Sequence, residues 1–313
     1  MTTDHATTTP RTVTAPAVHR VDVPGGQLHV EVRGAGPLLL VVGQPMTSEP
    51  FAPLADALAA DRTVVTYDPR GLGRSTVADP TLPVTPERQA DDLARVVEVL
   101  GGGPADVLGS SGGAVTALAL AARHPGLVGV VVAHEPPVTE LLPDAAWVRA
   151  VVDGIEDAYR RDGAAAAWGL FVALVMHDGP VPADGVSPVA WPPPGAGPEV
   201  DPAAPGGATS GDAPDDGSAA PRGQEGEDRM FFLRMLKPFT RWVPPTDALR
   251  GPRPRVVVAV GEDSAQQVAA RSARALADAL GTAPAVFPGD HGGFMPDPVG
   301  FADAVRREVA RMR

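Results

Sequence analysis

At 313 residues with a 44% hydrophobic share, the chain can bury a large core and exceeds the usual single-domain size, so one large domain with an insertion is expected. Its formal net charge of −12 argues against partnership with nucleic acid or an anionic membrane surface, since neither attracts an acidic protein. The absence of cysteine removes disulfides, thiolate catalysis and cysteine-ligated zinc together.

Residues 1–17, beginning MTTDHATTTPRTVTAP, lack an apolar core and read as a disordered leader, not a secretion signal. No run approaches the ~18 apolar residues a membrane span requires, so a cytoplasmic protein is expected. Residues 19–23 and 27–32 read as two strands joined by the turn Pro24-Gly25-Gly26. Residues 38–42 are a solid apolar run, as a strand covered on both faces should look. Helical spacing over 50–60 (Phe51, Leu54, Ala57, Leu58) leads to a strand at 63–67. Residues 86–100 predict a helix, with Pro86 near its start, Gly101 beyond its end, and Ala90, Leu93, Val96, Val97 and Leu100 on one face. A strand at 106–109, a helix at 113–123 and a strand at 127–133 follow. Residues 255–260, a helix from about 265 to 280, residues 285–287 and a last helix from Pro298 complete the alternation. Strands alternating with helices predict an α/β fold, a mostly parallel central sheet flanked by helices.

The interval between the two halves differs in kind. Residues 138–250 read as a helical lid over the carboxyl ends of the strands, where open parallel sheets bind ligands. Inside it, residues 179–227 are dominated by Pro, Gly, Ala and Asp and predict a disordered insertion. The core then comprises residues 18–137 and 251–313.

The chemistry concentrates at two loops. In Gly109-Ser110-Ser111-Gly112-Gly113 an apolar run stops at a serine flanked by glycines, and a helical pattern begins at once. The G-x-S-x-G spacing puts Ser111 on a sharp strand-to-helix turn, clear of the backbone and near the helix's N-terminal amides. Its base is expected in Pro288-Gly289-Asp290-His291-Gly292-Gly293, directly after the last strand. A neutral imidazole there can take the hydroxyl proton and return it to a leaving group. His124 reads instead as a helix cap, and His5, His19, His29 and His177 have weaker claims.

With these residues the chain resembles the α/β-hydrolase superfamily. The loop Asp68-Pro69-Arg70-Gly71-Leu72-Gly73-Arg74-Ser75 is similar to that family's D-x-R-G-x-G-x-S loop. It lacks the lysine of a phosphate-binding loop, and Lys237 is the only lysine in the chain. The resemblance implies an oxyanion hole made by two main-chain amides, Gly112 after the nucleophile and Gln44 in Val42-Gly43-Gln44-Pro45. The family commonly shows His-Gly-x-Pro there, so a histidine brace is lost at Val42. For the triad acid two positions stay open. Asp263 lies one residue before the family's usual aspartate position, which Ser264 occupies; Glu135 ends the strand after the nucleophile helix, a site some family members use. Glu135 is favoured, because a carboxylate at an apolar strand end requires a partner. Their plain structural roles would be an arginine salt bridge for Glu135 and a helix N-cap for Asp263.

The resemblance implies acyl transfer to water through an acyl-serine, on a small carboxylic ester, lactone or thioester, with no cofactor and no metal. Carbon–carbon bond hydrolysis, aminopeptidase action and perhydrolysis use the same triad, and a ligand-binding protein retaining the pocket is the alternative of another class. A small-molecule substrate is the expected partner; oligomeric state is not readable.

Overall fold

A computed structural model describes residues 15–101, 103–189 and 223–313; the leader as far as residue 14 and residues 190–222 of the expected insertion lie outside the described residues. In chain order come β1 (Ala17–Val23), β2 (Gly26–Arg33), β3 (Leu38–Val42), α1 (Ala52–Leu58), β4 (Thr63–Tyr67), β5 (Thr76–Val77), α2 (Pro86–Leu100), β6 (Ala105–Ser110), α3 (Gly112–Arg123) and β7 (Val128–His134). A helical stretch follows: α4 (Ala145–Asp162), α5 (Ala164–Val175), α6 (Gln224–Met230), a π-helical turn at Phe231–Met235, α7 (Leu236–Thr240) and α8 (Thr246–Leu249). Then β8 (Arg255–Gly261), α9 (Val268–Leu280), β9 (Ala285–Phe287) and α10 (Pro298–Met312) close the described chain.

The strands form one sheet in the order β1-β2-β4-β3-β6-β7-β8-β9, with β5 paired to β2. β1, β2 and β5 run antiparallel to their neighbours; β4, β3, β6, β7, β8 and β9 are parallel to one another. After β3 the chain moves to β4 on one side and later returns to β6 on the other. The order therefore reverses at β3, and the carboxyl ends of β3 and β6 flank the crevice where such sheets take ligands.

Alternation along β3 shows how two cores share one sheet. Leu38, Leu40 and Val42 belong to the core shared with α2, α3 and α9, whereas Leu39 and Val41 belong to the one shared with α1 and α10. Helix α2 has a Thr85 side chain capping the Arg88 amide at its start and a left-handed Gly101 (φ +70°) at its end.

Several strand ends differ from expectation by a residue or two, and three further differences have a local cause. The helix expected over 50–60 is a 3₁₀ turn, Glu49–Phe51, followed by the shorter α1. The helix expected from 265 starts at Val268, because Ala265 adopts φ +45°. Within the expected disordered insertion, Val181 is buried and its amide donates to the Asp144 carboxylate at 2.7 Å, while α6 occupies the far end. Apolar Val181 and the helix-capable 224–230 were masked by the Pro/Gly-rich composition around them.

Candidate active site

Ser111 sits between β6 and α3 with φ +56° and ψ −128°, a backbone conformation that costs a non-glycine residue about 1–3 kcal/mol. Its amide donates to the His134 carbonyl at 2.9 Å, and its own carbonyl accepts from Ala114 at 2.9 Å. The flanking glycines allow the elements to meet. A Cβ at Gly109 would lie 2.6 Å from Ala114 Cα, and one at Gly113 would lie 2.0 Å from the Val42 carbonyl oxygen. The G-x-S-x-G spacing is thus a packing requirement between β3, β6 and α3.

The turn after β3 lies against the same helix start. A Cβ on Gly112 would stand 2.9 Å from Cβ and Cγ of the buried Gln44, so the two expected oxyanion residues abut. The Asp68 loop braces this turn. The buried Asp68 carboxylate accepts from the Ser48 amide (2.9 Å) and hydroxyl (2.7 Å), and from the Arg74 amide (2.8 Å) and Nε (2.9 Å). Burial alone would raise this carboxyl; the bonds from Arg74 and Ser48 outweigh it and hold it below the usual range. Arg70 is buried against Asp92 through Nε at 2.9 Å and Nη2 at 2.5 Å. The loop's polar groups are therefore spent inside the protein.

His291 lies in the turn between β9 and α10. Its Nδ1 is 2.6 Å from Glu135 Oε2, and the other carboxylate oxygen accepts the Gly261 amide at 2.9 Å. Glu135 is fully buried at the end of β7 with φ +48°. Burial would push its carboxyl up, but the hydrogen bond and charge of His291 outweigh this and hold it at about 2. With Nδ1 engaged, Nε2 is the ring nitrogen left for chemistry. Asp263 is brought elsewhere: its side chain is exposed, its amide bonds the Gly289 carbonyl at 3.0 Å, and Gln267, not Asp263, holds the N-cap position of α9. The structure joins Glu135 to His291 and leaves Asp263 apart, and Glu135 pairs with the histidine where an arginine was the plain alternative.

His134 escaped the sequence reading. Its ring is fully buried beneath the site, edge-on to Phe301 at 5.1 Å and stacked 6.3 Å from His291, with Nδ1 3.2 Å from the Ser110 hydroxyl. Burial holds it down at about 4, so it stays neutral above that pH. A histidine beside a strand-end glutamate in Val132-Ala133-His134-Glu135 was the available signal. His124 ends α3 as expected, its ring on Asp91 at 2.7 Å.

Ser111, Gly112, Gln44 and His291 line one cavity of about 70 Å³. Its remaining wall is largely apolar and comes from the stretch between β7 and β8, including Val148, Phe171, Leu174, Phe231, Met235 and Phe239. That stretch is fastened to the core by Trp242 Nε1 on Glu87 (2.8 Å), Arg234 Nε on the Pro80 carbonyl (3.2 Å) and the ion pair of Arg271 with Asp144.

Residues 36–224 match the family described as alpha/beta hydrolase fold. Over 123 residues the chain is 42% identical to the uncharacterized hydrolase YraK of Bacillus subtilis (strain 168), covering 39% of this chain and 45% of that one. Over 115 residues it is 36% identical to a 2-(acetamidomethylene)succinate hydrolase of Mesorhizobium japonicum, covering 36% and 41%. The chain thus spans less than half the length of these curated relatives. A thermophilic esterase from Thermogutta terrifontis superposes with a TM-score of 0.62 at 18% identity, over 95% of this chain and 99% of that one, a likeness of fold. Among the described residues, no helix is long and apolar enough to cross a membrane.

Proposed function

The chain belongs to the α/β-hydrolase fold family, and on that premise we propose that it is a serine hydrolase acting on a small carboxylic ester, lactone or thioester. In this reading Ser111 Oγ attacks the acyl carbon while His291 Nε2 takes its proton. Glu135 holds the imidazole through Nδ1 and stabilises its charged form. The carbonyl oxygen becomes an oxyanion and accepts from the main-chain amides of Gln44 and Gly112, a contribution of about 2.7–4 kcal/mol per donor in comparable sites. The imidazolium then protonates the departing alcohol or thiol. A water repeats the sequence on the acyl-serine and frees the acid.

The observation that carries this reading is the 2.6 Å pairing of His291 with the buried Glu135, on a ring that shares a cavity with Ser111. The apolar wall supports an uncharged, apolar acyl or alcohol group, and the helices between β7 and β8 act as its lid. The hydrolase names of the relatives agree on the class of reaction and differ in how far they specify a substrate.

A fluorophosphonate probe tests the mechanism. Labelling of intact protein that disappears in Ser111→Ala supports it; absence of labelling overturns it in favour of a binding protein with a hydrolase pocket. A panel of p-nitrophenyl esters, lactones and acyl thioesters of graded length then places the substrate.

A further inference from the structure

Behind the turn that carries Gln44 runs a buried line of three polar side chains that the mechanism above does not use. The Tyr67 hydroxyl, at the end of β4, donates to Gln89 Oε1 at 3.0 Å. Gln89 Nε2, on α2, donates to Gln44 Oε1 at 2.9 Å. Gln44 Nε2 in turn donates to the sulfur of Met235, in the π-helical turn. All four residues are buried: Tyr67 and Gln44 are 3% exposed, and Gln89 and Met235 are 1% exposed. Burial and the nearby negative charge of Asp92 push the Tyr67 phenol up, so it keeps its proton and stays a donor.

We propose that Gln89 is a positioning residue that fixes the Gln44 main-chain amide for the oxyanion, through the side chain of Gln44. The inference rests on the reading that this amide is an oxyanion donor. Gln44 is held at two points. Its Cβ and Cγ lie against Gly112, where a methyl group would stand 2.9 Å away, and its carboxamide is held by Gln89. A side chain fixed at root and tip leaves little freedom to the peptide from which it springs. Where the resembling family commonly places a histidine, this chain has Val42, whose side chain can donate no hydrogen bond to the turn. The Tyr67–Gln89–Gln44 line supplies a brace of another kind. Gln89 never reaches the substrate; among the described residues it is absent from the cavity wall.

The test uses the full chain and a p-nitrophenyl ester that the wild type hydrolyses. Gln89→Met keeps the volume and removes the amide. It should lower kcat by about tenfold or more, part of what a misplaced oxyanion donor loses, and leave KM within about twofold. Binding of a trifluoromethyl ketone, whose serine adduct carries the oxyanion, should weaken by the same factor. In a Gln44→Met background Gln89→Met should have no further effect, because its action passes through that side chain. Tyr67→Phe removes only the outer hydroxyl and should lower kcat by about two- to fivefold with KM unchanged. It decides the matter if Gln89→Met does not fold. Wild-type kcat in folded Gln89→Met, or in Tyr67→Phe when that variant must decide, overturns the proposal. So does an effect of Gln89→Met that persists in the Gln44→Met background. Failure of the underlying reading shows differently: the intact protein then takes no fluorophosphonate label.

Discussion

The imidazole of His291 is held at 2.6 Å by the carboxylate of Glu135, a residue 156 positions earlier in the chain. β7 and the turn after β9 bring the two together, and the second carboxylate oxygen is anchored on the last residue of β8, the buried Gly261. The pair therefore ties three strand ends to one ring nitrogen.

Glu135→Gln should lower kcat by roughly 10³–10⁴-fold, since an amide can neither enforce the tautomer nor stabilise the imidazolium. Asp263→Asn should stay within about threefold of wild type, because its exposed side chain does not reach the ring. Steady-state hydrolysis of a p-nitrophenyl ester measures both, and the opposite ranking would remove Glu135 from the mechanism.

The same carboxyl should make stability depend on acidity. Its folded-state value of about 2 lies below the ordinary 4.5, so its contribution is fully present above about pH 4.5 and is lost as pH falls toward 2. The shift corresponds to on the order of 3 kcal/mol. Thermal melts of wild type and Glu135→Gln across pH 2–7 should therefore differ most near neutrality and converge on the acid side. A gap that does not narrow on acidification refutes this.

Asp68→Asn should destabilise the fold by about 3 kcal/mol, because it leaves Arg74 and the Ser48 turn with a neutral acceptor in a buried place. Chemical denaturation measures it. At low temperature the folded fraction should still take a fluorophosphonate label, since this loop shapes the site without touching Ser111.

Gly113→Ala should abolish stable folding, given a methyl group 2.0 Å from the Val42 carbonyl oxygen in the tightest contact of the elbow. Gly112→Ala meets Cβ, Cγ and the carbonyl oxygen of Gln44, each at 2.9 Å, a less severe clash than the one at Gly113. It should fold with a Tm lowered by about 2–8 °C and lose at least about tenfold in kcat, the amide pair being spread apart. Circular dichroism melts and ester turnover separate the two.

Much of this was legible in the residues because local signals agreed with one another. β3 and β4 are unbroken apolar runs, and α2 carries both of its caps, so the bounds read from sequence match the structure. β5 is only two residues long, too short for any alternation to register. The π-helical turn follows neither the helical nor the strand period, and the positive φ of Ala265 has no mark in an ordinary Ser-Ala-Gln sequence. At the candidate site, Ser111 and His291 were read from their loops, and the order of strands places Glu135 within reach of the ring. Gln89 was missed although a clue existed. It is a polar residue on the apolar face of α2, one turn before Leu93, and such a residue calls for a buried partner.

The conformation at residue 111 is imposed from outside, by bare backbone at 109 and 113 and by the carbonyl of His134. Nothing in that arrangement consults the hydroxyl itself. The elbow is a socket, and the atom mounted in it can be exchanged without rebuilding the mount. A Ser111→Cys protein should stand in the same pose with a sulfur at its tip, turning a chain devoid of thiols into one with a single addressable handle in the cavity.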